Sequence, residues 1–63
     1  MTTPAPLILI VEEEAEIAEL LEENFHALGL ETCAVRDGAG LFDALSRRKP
    51  SLILLDIMLP GED

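Results

Sequence analysis

An α/β fold, with a three-stranded parallel sheet of order 2-1-3 and helices on both faces, is what the sequence predicts. Three observations lead there. The aliphatic runs Leu7–Val11 and Leu52–Leu55 show no alternation of apolar and polar residues, the pattern of strands covered on both sides. The segments between the strands carry apolar residues at helical spacing. The resulting order, strand–helix–strand–helix–strand, calls for right-handed crossovers in a parallel sheet. With 63 residues, 49% hydrophobic but only 3% aromatic, the chain has room for one small domain with an aliphatic core.

Residues 1–6, with Pro4 and Pro6 and no apolar period, form a short exposed lead-in, and the ordered unit runs over 7–63. Leu7–Val11 is the first strand. A helix follows over about Glu14–Leu28, its stripe of Ile17, Leu20, Leu21, Phe25 and Leu28 turned inward and Glu16, Glu19, Glu22 and Glu23 outward. Gly29 stops it as the residue just past the C-cap. Leu30–Val35, partly β-branched and following a glycine turn, makes the second strand. Asp37 caps a second helix over about Ala39–Arg48, with Leu41, Phe42, Ala44 and Leu45 as its buried side. Arg47, Arg48 and Lys49 sit at its negative end, and Pro50 ends it. Leu52–Leu55 is the third strand, closed by Asp56 and a Pro60-Gly61 turn.

Composition excludes several roles. Four Lys and Arg against thirteen Asp and Glu give a net charge of −9, which repels a phosphate backbone, so direct nucleic-acid binding is not expected. The apolar runs are far shorter than the roughly 20 residues of a membrane span, and the N-terminus lacks a basic region and a long apolar stretch, so no membrane partner and a cytoplasmic location are expected. Cys33 is the single cysteine and reads as a strand packing residue; His26, the single histidine, reads as a surface residue with no acid–base partner beside it.

Chemistry is expected beyond the carboxyl ends of the strands, where parallel sheets open their ligand crevice. The first strand runs into Glu12-Glu13-Glu14 and the third into Asp56. Neighbouring strands then direct several acids into one crevice, an arrangement suited to a hard dication such as Mg²⁺. Taken singly, the acidic triplet reads equally as complementation of a helix N-terminus and Asp56 as a turn residue. Together they create a repulsion that a cation or proton relieves.

Leu7-Ile-Leu-Ile-Val-Glu-Glu-Glu14, Asp37-Gly38 and above all Leu52-Ile-Leu-Leu-Asp-Ile-Met-Leu-Pro-Gly61 resemble the receiver domains of response regulators in two-component signalling. The resemblance covers the whole ordered chain and implies the N-terminal half of a flavodoxin-like, doubly wound domain. It implies that Asp56 is the phospho-acceptor, that Glu12 and Glu13 occupy the acidic pair holding Mg²⁺, and that Met58 lends the metal a backbone carbonyl. A histidine kinase or phosphotransfer protein is the implied donor. The family usually has Asp where Glu13 stands, and the extra methylene moves the carboxylate about 1 Å outward, enough to weaken a near-octahedral Mg²⁺ site. Complete receivers add two strands, three helices, a hydroxyl residue and a lysine that contact the phosphoryl group. The 63 residues alone are therefore expected to be a truncated module, a switch and not a turnover enzyme, inactive on their own.

The alternative is a structural or self-assembling half-domain without phosphotransfer, natural or engineered. A small Mg²⁺-dependent phosphohydrolase is a weaker third reading, since no lysine or hydroxyl residue stands near Asp56 in sequence. With order 2-1-3 the third strand is an edge, so self-association through residues 52–56 is expected, for instance as a dimer whose two-fold runs along the strands and extends the sheet in parallel.

Overall fold

The computed structural model describes residues 5–55. Its elements are β1 (Leu7–Val11), α1 (Ala15–Ala27), β2 (Glu31–Val35), α2 (Gly38–Leu45) and β3 (Leu52–Leu55). The strands form one parallel sheet of order β2-β1-β3, as the patterning predicts. β1 is central. Leu9 pairs with Cys33 on one side and with Ile53 on the other.

Alternation along the strands separates two faces. Leu7, Leu9 and Cys33 line a cavity of about 70 Å³ together with Ala44 of α2, so the odd-numbered strand residues lie under α2. Glu12 and Ala34 line a second cavity with Ala15 and Ala18 of α1, and Thr32 donates to Glu22, so the even-numbered residues lie under α1. The helices thus cover opposite faces, the outcome of two right-handed crossovers that leave β1 in opposite directions.

Both helix stops are local chemistry. Gly29, at φ +83°, takes the left-handed conformation an L side chain resists, while its N–H donates to the His26 carbonyl and that of Leu30 to Phe25. Asp37 caps α2, its Oδ1 accepting from the Gly40 N–H at 2.8 Å. Glu14 caps α1 by backbone conformation alone, with no side-chain hydrogen bond.

The core is narrower than the apolar pattern suggests. Leu7, Ile8, Leu9, Ile10 and Ala18 are buried, Ile10 completely. In α1 the small Ala18 is the buried residue; Leu21 and Phe25 are half-buried, whereas Leu20 is 59% and Leu28 73% exposed. The inward stripe expected there is therefore mostly at the surface. In α2, Leu41 and Ala44 are half-buried, but Phe42 is exposed, contrary to its expected place on the buried side. In β3 only Leu54 is even half-buried. The cause is geometric. One helix per face packs over β1 and β2, and the apolar surface beyond that footprint faces water.

Candidate functional site

The carboxyl end of β1 carries the acids that the sequence singles out. Glu12 extends the ladder one step past Val11, its N–H donating to the Val35 carbonyl at 2.9 Å. This bond ties the residue to β2, and strand alternation sends its side chain to the α1 face. Glu12 is 2% exposed there, lining the cavity formed by Ala15, Ala18, Ala34, Val35 and Arg36. Its Oε2 accepts from the Glu14 N–H over a long 3.4 Å. Glu13, next in the chain, is exposed. The pair therefore divides, with one carboxylate packed against the fold and one reaching into solvent.

Parallel register brings β3 to the same level. Val11 is paired with Leu55, so both strands end side by side. Asp56 and Met58, expected as phospho-acceptor and metal-binding carbonyl, lie outside the described residues, as does the Pro60-Gly61 turn. Glu12 and Glu13 are hard oxygen donors of the kind Mg²⁺ takes, and their position fits that ion. Among the described residues no three His, Cys, Asp or Glu side chains converge as a metal cluster.

One polar arrangement has no signature in the sequence. His26 Nε2 lies 2.8 Å from Thr32 Oγ1, and that hydroxyl donates to Glu22 Oε2 at 2.7 Å. With the hydroxyl hydrogen directed at Glu22, Thr32 accepts from the imidazole N–H. His26 has partners after all. They stand six and ten residues away, on β2 and one turn earlier on α1, and no spacing rule along one element reveals them. A second link, Arg48 to Glu31 at 3.0 Å, crosses from the end of α2 to the start of β2, while Arg47 pairs with Asp43 at 3.4 Å. Both are exposed pairs of small energetic weight.

Residues 8–63 match the family model described as the response regulator receiver domain. The chain is also 38% identical over 61 residues to the DNA-binding response regulator MtrA of Mycobacterium bovis and to that of Mycobacterium tuberculosis. These 61 residues are 97% of this chain but 27% of each relative, so the chain spans about a quarter of the length of the curated relatives it matches. No solved structure matches it. Among the described residues no helix is long and apolar enough to cross a membrane.

Proposed function

The chain belongs to the response regulator receiver domain family, and on that premise we propose that it is the phosphoryl-accepting part of a two-component switch, with Asp56 as the acceptor. The observation that carries this reading is the level ending of β1 and β3, with Val11 opposite Leu55. The next residue on each strand is an acid, Glu12 and Asp56. In this reading the Asp56 carboxylate attacks the phosphorus of a phosphohistidine on a kinase or phosphotransfer protein, the P–N bond breaks, and the donor imidazole takes up a proton. Glu12, Glu13, Asp56 and the Met58 carbonyl would hold Mg²⁺, which offsets charge among the oxygens when bound. Glu12 is kept in place by its ladder bond to Val35 and by burial against α1. The module acts as a cytoplasmic switch and not as a turnover enzyme, and residues 7–63 form one half of the receiver unit.

Labelling with acetyl phosphate and Mg²⁺ tests the assignment. A chain extended to receiver length takes up one acid-labile phosphoryl group, Asp56→Asn abolishes uptake, and the 63 residues alone label weakly. Labelling that survives Asp56→Asn would sink it.

A second reading, a self-associating half-domain without phosphotransfer, is favoured by β3. Leu52, Ile53 and Leu55 are 54%, 39% and 53% exposed on a strand whose outer edge has no neighbour in the sheet among the described residues.

A further inference from the structure

The two edges of the sheet differ in kind. β2 is a guarded edge. Glu31 at its start is held by Arg48, and Thr32 is bonded to His26 and Glu22. Charged and hydrogen-bonded side chains of this sort discourage another strand from adding. β3 carries no such device along its length. It is four aliphatic residues, Leu52-Ile-Leu-Leu55, with large exposed side chains on both faces.

The backbone specifies what β3 offers. The Ser51 N–H donates to the Leu7 carbonyl at 2.8 Å, so Ser51 points its peptide groups toward β1. Alternation then turns Ile53 and Leu55 toward β1 as well, and the N–H and C=O of Leu52 and Leu54 toward the open edge.

We propose that β3 pairs antiparallel with β3 of a second copy, with Ile53 on the two-fold axis and Leu52 of each chain exchanging backbone hydrogen bonds with the partner's Leu54. This geometry deepens the self-association reading and rests on it. An axis perpendicular to the sheet keeps the two faces in common, so Ile53 meets the partner's Ile53 under α2 and Leu52 meets the partner's Leu54 under α1. The outward peptide groups of both copies fall into hydrogen-bonded pairs, and Ile53 falls into the closer, non-hydrogen-bonded pair, with Cα atoms about 4.5 Å apart.

Charge selects this orientation over the parallel one. Three of the chain's four Lys and Arg residues, Arg47, Arg48 and Lys49, lie just before β3, and the acids Glu12 and Glu13 lie at the opposite end of the sheet. Antiparallel pairing sets the basic end of each copy beside the acidic end of the other. A two-fold along the strands would set basic beside basic and acidic beside acidic, at separations near the Debye length of about 8 Å where such contacts still count.

Cysteine cross-linking of the 63-residue chain in a Cys33→Ser background tests the register. Sedimentation equilibrium of the parent chain first reports a dimer. Ile53→Cys then forms a disulfide-linked dimer under mild oxidation, since about 4.5 Å between Cα atoms is within disulfide reach. Leu55→Cys, equally accessible, does not, because its sites stand four residues apart along the strands, roughly 13 Å. A dimer in which the Ile53→Cys variant fails to cross-link overturns the geometry while leaving self-association standing. Equal cross-linking of the Ile53→Cys and Leu55→Cys variants reports unspecific aggregation and also overturns it. A folded monomer at high micromolar concentration defeats both. Each of these results is independent of Asp56 labelling, so the phosphotransfer reading stands or falls separately.

Discussion

Leu55 stands opposite Val11 in the parallel pairing of β3 with β1, and the two strands end level. The relationship matters because an acid follows each of them in sequence, Asp56 after Leu55 and Glu12 after Val11. Slipping β3 by one residue would flip its side chains to the other face and move its end away from that of β1. The register therefore belongs to the candidate site as much as to the sheet.

Glu13 is exposed at this end and carries one methylene more than the Asp usual in the family. Glu13→Asp is expected to tighten Mg²⁺ binding several-fold, on the order of 1 kcal/mol, because Mg²⁺ demands near-ideal octahedral geometry. Calorimetric titration in the two backgrounds checks it. Charge alone predicts equal affinities, and that result would favour a loose, water-mediated site.

Asp37 Oδ1 satisfies the Gly40 N–H at the start of α2. Asp37→Ala leaves that donor to water and should cost about 1 kcal/mol, lowering the melting temperature by roughly 4–8 °C. Asp37→Asn keeps an oxygen at the same place and should stay close to the parent. If both variants melt together, the cap contributes nothing to stability.

Two glycines in α2 should respond oppositely to alanine. A Cβ at Gly38 meets nothing within 4 Å, so Gly38→Ala removes backbone freedom from the unfolded chain and should stabilise by about 0.4–1 kcal/mol. A Cβ at Gly40 arrives 3.0 Å from Val35 Cβ, and Gly40→Ala should destabilise by about 1–3 kcal/mol as α2 is pushed off β2. Urea denaturation of the two variants gives the sign directly.

Burial ranks the apolar side chains differently from their size. Ile10 is completely buried at the centre of β1, and Ile10→Ala should cost about 2–5 kcal/mol, enough to unfold a domain this small. Phe42 is 73% exposed, so Phe42→Ala should stay within about 1 kcal/mol of the parent. Far-ultraviolet circular dichroism against temperature separates them, and a larger loss at Phe42 would place the core elsewhere.

What the sequence determined by itself is whatever depends on near neighbours along the chain. Leu7–Val11 and Leu52–Leu55 are strands because unbroken aliphatic runs suit a covered sheet, and Gly29 and Asp37 bound the helices because left-handed backbone and N-terminal N–H groups call for those residue types. The order 2-1-3 was also legible, from the alternation of elements and the handedness of crossovers. Tertiary structure decided the rest. Periodicity placed Leu20 and Phe25 on one stripe of α1, but only packing leaves Leu20 at the surface and Phe25 half-buried. The hydrogen-bonded chain from His26 through Thr32 to Glu22 likewise arises where α1 lies across β2. Glu12 and Glu13 look alike in sequence, yet strand alternation and the ladder bond to Val35 bury the first while the second remains in water. A pattern along the chain states which side chains share a face. Whether anything covers that face depends on distant segments, and here one helix on each side covers only part of the sheet.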